Sequence, residues 1–312
     1  MQPYLQMLQH ILDNGTSHKD RTGVGTISVF GYTARYNLAD GFPILTTKFV
    51  PFKVVAEELF WFLSGSTRLS HLQERGDSAG NPIRIWDAWG TAEKCSKFNR
   101  PAGEFGPTYG HCWRNFGASA LSLEDDPEDI AGYYDNATRR WINWGYAPDG
   151  FDQIKALCDD LQAGPGSRRL IVDAWHARDA RLVELPPCHP YFQLKWQEET
   201  NTLDLETHMR SADAFLGVPF NLTSYALLLS LLAKLFNMVP GTLVQSFGDL
   251  HIYANHIDQV RMQLRRPCRE RPKLLIDETL PPGFEGLMAA NWGSLKLLNY
   301  NHDSAIKAPV AV

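Results

Sequence analysis

Residues 222–236 read LTSYALLLSLLAKLF, the most apolar run of the chain, with Lys234 as its only charged residue. A helix that is apolar on every side is normally buried in a protein core. The run is also shorter than the roughly 18 apolar residues that cross a membrane. We therefore predict a helix over Leu222–Phe236 at the centre of a soluble fold, against which the rest of the chain packs.

The segments around this helix alternate irregularly between strand and helix patterns. Strands are predicted at Ile27–Tyr36, Leu170–Trp175, Tyr191–Gln197, Leu203–Thr207 and Val244–Phe247, and helices at residues 4–13, Lys53–Leu63, Asp152–Leu161 and Asn255–Leu264. Without a strict strand–helix–strand alternation, an α+β fold is favoured over a doubly wound sheet. No linker divides the chain, so residues 1–312 are predicted to form one domain. Residues 117–150, acidic and then aromatic, are predicted to be a surface insertion of unassigned role.

Composition narrows the possible functions. The 312 residues are 44% hydrophobic, enough for a large core, and the net charge of −5 disfavours a general nucleic-acid binder. The first residues show neither part of a secretory signal, and no membrane association is expected. Five cysteines without a Cys-x-x-Cys pair suggest neither a disulfide framework nor a zinc site. We expect a cytoplasmic protein without a bound metal.

Cys188, in Pro186-Pro187-Cys188-His189, is the candidate nucleophile. A cysteine attacks as its thiolate, which nearby cations favour. Taken alone, a buried inert cysteine is the more frequent situation. His189 is not predicted to be its base, because adjacent side chains on a strand point to opposite faces.

Several arginines lie beside turns and could hold an anion. They are Arg21 in a glycine-bearing turn, Arg168 and Arg169 after Gly-Pro-Gly-Ser, and Arg210 followed by Ser211. A guanidinium with a neighbouring hydroxyl is a common way to bind phosphate. Any one of them is more often a solvated surface arginine, but four together favour an anion site.

Four further residues carry polar groups suited to a ligand. Asn221 can either cap the apolar helix or pair with a base edge through two hydrogen bonds. Glu58 lies in a very apolar helix, where burial would raise its pKa as a general acid or base requires; it could equally be part-exposed beside Glu57. His251 and Tyr253 share one face of a strand or turn, which suits a ribose or two aromatic residues at the core edge.

Taken together, these stretches resemble the thymidylate synthase family over nearly the whole chain. The resemblance is carried by Asp20-Arg21-Thr22-Gly23, Thr46-Thr47-Lys48, residues 58–63, Ile85-Trp86-Asp87, residues 106–110, Ser167-Arg168-Arg169, Pro187-Cys188-His189, Arg210-Ser211-Ala212-Asp213, residues 216–221, Gly248-Asp249 and residues 306–312. It implies a mixed sheet flanked by helices and a homodimer formed through the sheet.

The resemblance also implies a role for each candidate residue. Cys188 attacks C6 of dUMP, and C5 then takes a one-carbon unit from 5,10-methylenetetrahydrofolate. The 5′-phosphate is held by Arg21, Arg210 and Ser211 with Arg168 and Arg169 of the second subunit, the uracil by Asn221, and the 3′-hydroxyl by His251 and Tyr253. Glu58 and Tyr109 handle protons. Asp213, Trp86, Lys48 and the tail ending at Val312 belong to the folate side.

Some positions depart from the usual pattern of the family. Phe49 and Pro51 replace an arginine and a histidine, Met209 replaces a glutamine, and changes also occur at residues 173–176 and 302–304. Several lie on the folate side, so a dUMP hydroxymethylase, which quenches the same intermediate with water, is the alternative to a synthase. Asn221 disfavours dCMP, since an aspartate there would accept from the cytosine amino group. A non-catalytic nucleotide- or RNA-binding homologue and a cysteine hydrolase are more remote alternatives.

Overall fold

The computed structural model describes residues 2–20, 22–119, 133–135, 140–142, 147 and 149–311. Its strands are β1 Thr16–His18, β2 Thr26–Asn37, β3 Tyr133–Asp135, β4 Arg140–Ile142, β5 Ile171–Asp173, β6 Tyr191–Gln197, β7 Thr202–Asp213, β8 Val239–Tyr253, β9 Lys273–Ile276 and β10 Leu295–Leu298. Its helices are α1 Gln2–Asn14, α2 Phe52–Ser64, α3 Leu69–Gln73, α4 Ala92–Ser96, α5 Tyr109–Asn115, α6 Gln153–Ala163, α7 Gly217–Leu235, α8 Ile257–Leu264 and α9 Gly283–Ala289.

Six strands form the main sheet, in the order β1-β2-β8-β7-β6-β5. The pair β7 and β8 is parallel and the other neighbours are antiparallel, so the sheet is mixed. Two antiparallel pairs, β9–β10 and β3–β4, stand apart from it. The prediction of an α+β fold with a mixed sheet and flanking helices is confirmed.

Helix α7 is the centre of the core, as its apolar sequence predicts. It packs on β7 and β8 on one side and on α2 and α9 on the other. By length and composition it is the one helix of the described residues that could cross a membrane, but 83% of its apolar window is buried. It is therefore placed as the core helix of a folded domain.

Two predicted boundaries were wrong in ways that affect the site. Helix α7 begins at Gly217, so Asn221 lies inside the helix and does not cap it. Pro219 is tolerated in the first turn because the backbone N–H groups there have no intrahelical partner. Strands β7 and β8 are also much longer than predicted, with 12 and 15 residues. Each of the two strands pairs with a neighbour on both sides, and the hydrogen bonds to these neighbours keep it extended where its residues are polar.

The register of β7 and β8 brings the polar ends of these strands together. Ser211 is paired with Asp249, and Asp213 with His251. Cys188 lies just before β6, the other neighbour of β7. One end of the sheet thus collects most of the predicted site residues. The predicted insertion at 117–150 lies largely outside the described residues.

Candidate active site

Cys188 lies in the loop before β6, and Arg210 on β7 holds this loop in place. The backbone N–H of Arg210 donates to the carbonyl of Cys188 at 2.8 Å. Its Nε and Nη2 donate to the carbonyls of Pro187 and Pro186 at 2.8 and 2.7 Å. The same Nη2 lies 3.9 Å from Cys188 Sγ. A cation at this distance favours the thiolate, the form of cysteine that attacks carbon.

Tyr109, at the start of α5, supports the cysteine from another direction. Its hydroxyl oxygen accepts a hydrogen bond from the backbone N–H of Cys188 at 2.6 Å. Burial, and then the negative charge of Cys188, raise the pKa of Tyr109 well above 10.0. The phenol therefore keeps its proton, and this hydroxyl can still donate toward a ligand beside the sulfur.

His189 is a structural residue and not the base of a cysteine–histidine pair. Its ring stacks on Tyr109 with centroids 4.0 Å apart, and its Nδ1 lies 2.7 Å from the hydroxyl of Tyr225. Burial lowers the pKa of His189 to about 3, so the ring is neutral.

Glu58 is a buried carboxyl on α2. Burial raises its pKa from 4.5 to about 7, while a hydrogen bond from Trp86 acts in the opposite direction. This bond joins Trp86 Nε1 to Glu58 Oε1 at 2.7 Å. A carboxyl whose pKa lies near neutrality can both take up and release a proton under ordinary conditions. The predicted rise in its pKa is confirmed.

His251 and Tyr253 lie together at the end of β8, with ring centroids 5.2 Å apart. His251 Nδ1 is 2.6 Å from Oδ1 of Asp249. This hydrogen bond is the largest cause of the lowered pKa of Asp249, so the carboxylate is ionised and accepts the Nδ1 proton. With Nδ1 engaged by Asp249, Nε2 is the ring nitrogen left for a ligand. The pair therefore offers a ring nitrogen and a phenol on one face, as binding of a ribose hydroxyl requires.

A family model described as Thymidylate synthase matches residues 2–312, the entire chain except its first residue. The chain belongs to the thymidylate synthase family. Members of this family are one-carbon transferases that bind dUMP and use 5,10-methylenetetrahydrofolate as co-substrate. The predicted family and enzyme class are confirmed, and the geometry around Cys188 can be interpreted as that of a thymidylate synthase family site.

Asn221 lies in the second turn of α7, one turn after Gly217. A Cβ atom on Gly217 would lie 3.8 Å from Asn221 Oδ1, which is an ordinary van der Waals contact. The side chain is half-buried and, within the described ranges, makes no hydrogen bond. An amide in this state can donate to and accept from a ligand at the same time.

Asp213, at the end of β7, presents one carboxylate oxygen. Its Oδ1 accepts from the backbone N–H groups of Phe215 and Leu216 at 2.9 and 3.1 Å. Its Oδ2 hydrogen-bonds none of the residues that the structure describes. A carboxylate oxygen of this kind can accept from a ligand that carries N–H donors, as a pterin does.

Lys48, also predicted for the folate side, makes its contacts with the protein itself. Its side chain is only 5% exposed, its Nζ donates to the carbonyl of Phe215, and it lies 3.7 Å from the centre of that ring. Burial lowers the pKa of Lys48 to about 7, and the charge of Asp213 partly opposes this shift. The Nζ group of Lys48 is thus hydrogen-bonded to the protein backbone beside Asp213.

The departures from the family pattern at Phe49 and Pro51 have a structural consequence. Both residues line an open groove of about 340 Å³ with Tyr300 and Trp292. Phe49 also packs on Tyr300 and on His302, with ring centroids 6.4 and 4.9 Å apart. Apolar contacts therefore surround the two positions at which the resemblance predicts an arginine and a histidine.

Arg168 and Arg169 are exposed in the turn before the edge strand β5. Neither guanidinium pairs with an acidic side chain in the part of the chain that the structure describes. No hydrogen bond joins them to the residues around Cys188, as expected if they serve another subunit. Arg21 and Val312, also predicted for the site, lie outside the described residues. Among described residues, no group of three His, Cys, Asp or Glu could hold a metal ion.

Two residues with clear roles in the geometry were missed by sequence reasoning. Asp249 fixes the ring of His251, and the ring of Trp175 lies 5.3 Å from the guanidinium carbon of Arg210. Asp249 could have been found, because it lies two residues before His251 and so shares its face of the strand. Trp175 could not, because it approaches Arg210 from a segment 35 residues away in sequence.

Proposed function

We propose that this protein is a thymidylate synthase that methylates dUMP at C5 to give dTMP and dihydrofolate. The observation that supports this most directly is the environment of Cys188. Its sulfur faces a guanidinium of Arg210 at 3.9 Å, and its backbone N–H is held by Tyr109. A thiolate placed in this way adds to C6 of a uracil ring, and this covalent bond makes the otherwise unreactive C5 nucleophilic.

The phosphate of dUMP binds at the end of β7. Arg210 uses Nε and Nη2 on the Pro187 and Pro186 carbonyls, and Nη2 also faces Cys188 Sγ, which leaves Nη1 for the phosphate. Ser211, next in the strand, adds a hydroxyl. Arg21 and the second subunit's copies of Arg168 and Arg169 complete the anion site. The same arginine thereby grips the phosphate and stabilises the thiolate.

The base is selected by Asn221. Its unengaged amide donates to uracil O4 and accepts from N3–H, the two groups that a uracil edge presents. The 3′-hydroxyl is bound by His251 Nε2 and Tyr253. We therefore propose dUMP as the substrate, ahead of dCMP.

Proton transfers are assigned to Glu58 and Tyr109. With a pKa of about 7, Glu58 protonates O4 through water as the cysteine adds and takes the proton back later. The Tyr109 hydroxyl, beside Cys188, assists removal of the C5 proton. Trp86, only 7% exposed and bonded to Glu58, keeps bulk water from this carboxyl.

5,10-Methylenetetrahydrofolate supplies the one-carbon unit and, in a synthase, the hydride that reduces it. Asp213 Oδ2 accepts from the N–H groups of the pterin, and Trp86 provides an apolar wall. The C-terminal segment covers this side of the site and excludes water, which favours hydride transfer to the exocyclic methylene over addition of water to it.

We further propose a cytoplasmic homodimer formed through the outer face of the main sheet. Paired positions on β2, β8, β7, β6 and β5 present this face, and Ile171 and Tyr191 remain 46% and 39% exposed there. Contact between two such faces would place the exposed Arg168 and Arg169 of one subunit at the site of the other.

Product analysis tests the synthase assignment against its closest alternative, a dUMP hydroxymethylase. The folate-side substitutions at Phe49, Pro51 and residues 302–304 are the observation that favours this alternative. The purified protein is incubated with 5,10-methylenetetrahydrofolate and either dUMP or dCMP, and products are identified by mass spectrometry. Formation of dTMP with a matching rise in dihydrofolate absorbance supports the synthase. Formation of 5-hydroxymethyl-dUMP without dihydrofolate overturns it.

A further inference from the structure

His256 is a buried histidine that the steps above do not use. It lies between β8 and α8 and is 0% exposed. Its Nε2 is 2.7 Å from the carbonyl oxygen of Pro309, in the C-terminal segment. Because a carbonyl can only accept, Nε2 carries a hydrogen and donates it. The tautomer of His256 at this nitrogen is therefore set by the tail.

This bond holds the C-terminal segment near its end. The start of the segment is held by Asp303, which pairs with Arg269 at 2.6 Å and whose backbone N–H donates to the carbonyl of Thr46. Arg266 donates to the carbonyl of Ser304 at 2.6 Å. Within residues 305–311, the bond from His256 to Pro309 is the only hydrogen bond to another described residue.

The second ring nitrogen of His256 faces the site. Its Nδ1 lies 4.0 Å from Oδ1 of Asp213 and has no hydrogen-bond partner among the described residues. A buried polar atom without a partner is costly. A carboxylate only accepts, so a hydrogen bond between these two atoms would need a second ring proton, on Nδ1. The ring lies between the tail on one side and the carboxylate proposed for the pterin on the other.

Packing places the same ring beside both halves of the site. Its centroid lies 5.6 Å from that of Phe215, which follows Asp213 closely, and 5.5 Å from that of Tyr253. Both contacts are tilted or edge-on, an arrangement favoured between aromatic rings. The ring thus contacts one residue on the folate side and one on the nucleotide side.

We propose that His256 is a positioning residue that clasps the C-terminal segment at Pro309 and links its closure to Asp213. The clasp rests only on the contacts of His256. The link to ligand binding rests on the proposed function, in which Asp213 binds the pterin.

Tail attachment can be measured without catalysis. Lys307 is exposed and lies two residues before Pro309, so trypsin cleavage after Lys307 removes residues 308–312 and is followed by mass spectrometry. His256→Gln keeps a nitrogen near the position of Nε2, whereas His256→Asn keeps one near Nδ1 that cannot reach Pro309. We expect His256→Asn to speed this cleavage about fivefold to tenfold, the effect of one lost hydrogen bond, with His256→Gln within about twofold of wild type.

The two variants control for each other, because both remove the ring and its packing. If both are cleaved equally fast, packing and not the bond to Pro309 holds the tail, and the clasp is overturned. Cleavage of both at the wild-type rate overturns it too.

Steady-state kinetics test the link to the site. In His256→Asn the KM for 5,10-methylenetetrahydrofolate should rise about fivefold while the KM for dUMP stays within about twofold, because the folate lies under the tail. An unchanged folate KM in a variant with fast cleavage overturns the link. If the wild-type protein itself transfers no one-carbon unit, the proposed function fails, and the cleavage rates still decide the clasp.

Discussion

At the scale of single residues, the site depends on groups whose charge is set by burial. Glu58 has a pKa of about 7 because water is excluded around it, and Trp86 only partly offsets this. The folded protein therefore holds a proton on Glu58 between about pH 4.5 and 7 that the unfolded chain has released. Over this interval the contribution of Glu58 to stability falls as the pH rises, and above it the full penalty remains.

Replacing Glu58 by glutamine should therefore stabilise the protein while it inactivates the enzyme. Glutamine resembles the protonated carboxyl and can still accept from Trp86. We expect the free energy of unfolding to increase by up to about 3 kcal/mol at pH 8 and to change little near pH 4.5. Urea denaturation across this pH range measures the difference.

Glu57, next to Glu58 on α2, provides the matched control. Glu57 pairs with Arg75 at 3.2 Å, so Glu57→Gln removes an ion pair and should lower stability. A stabilising effect of Glu57→Gln, or a Glu58→Gln effect that does not grow with pH, would contradict the interpretation of Glu58.

A second prediction at this scale concerns Asp249, which fixes the tautomer of His251. An asparagine can present either its oxygen or its NH2 group to Nδ1, so in Asp249→Asn the ring is no longer held with Nε2 as acceptor. We expect the KM for dUMP to rise about threefold to tenfold, since Asp249 is half exposed and its hydrogen bond is partly screened.

The ligand itself supplies the control for this prediction. A 2′,3′-dideoxy analogue of dUMP lacks the hydroxyl that His251 is proposed to bind, so wild type and Asp249→Asn should bind it equally in a calorimetric titration. The same loss with both nucleotides would show that Asp249 acts through something other than this hydroxyl.

At the scale of elements, helix α2 illustrates how local chemistry places Glu58, a proposed catalytic group. The helix ends at Gly65, which has a φ of 79° and donates its N–H to the carbonyl of Phe62. A side chain is strained in this left-handed conformation. At Gly65 a Cβ would also lie 2.9 Å from the Cβ of Arg114, a fully buried residue.

Gly65→Ala should accordingly destabilise the protein by about 2–5 kcal/mol, from the strained backbone and the clash together. Gly80 has nearly the same φ, 80°, but nothing within 4 Å of a Cβ. Gly80→Ala should cost only about 1–2 kcal/mol. Denaturation midpoints of the two variants give the comparison, and equal losses would mean that the contact with Arg114 is relieved without cost.

The elements that sequence reasoning predicted well are those whose own residues determine them. The helices α2 and α7 are mostly apolar, and β6 is bounded as predicted. The long strands β7 and β8 were underestimated, because their pairing with neighbours extends them through polar residues.

In the candidate site, too, features set by local sequence were predicted, and contacts between distant segments were not. The high pKa of Glu58 follows from its apolar helix and was predicted. The hydrogen bond from Cys188 to Tyr109 joins residues 79 positions apart, and that from His256 to Pro309 joins residues 53 apart. Such contacts arise from the packing of separate elements, and no local pattern in the sequence encodes them.

At the scale of the whole molecule, the proposed homodimer decides whether one chain can complete a site. Arg168 and Arg169 lie on the exposed edge of the sheet without a partner carboxylate in the described part of the chain, whereas Arg210 lies beside Cys188. If the two edge arginines serve the second subunit, each site draws residues from both chains. Two defective chains can then restore activity together.

Co-expression of two inactive variants tests this arrangement. A chain with Cys188→Ala keeps the arginines, and a chain with both Arg168→Ala and Arg169→Ala keeps the nucleophile. In the mixed dimer one site receives Cys188 from the second chain and both arginines from the first, so random association should restore about a quarter of the wild-type sites. Pairing Cys188→Ala with Glu58→Gln should restore none, because these residues belong to the same chain's site. No recovery in the first pair would show that Arg168 and Arg169 act within their own subunit, and recovery in the control would show that Cys188 and Glu58 of one chain do not serve the same site.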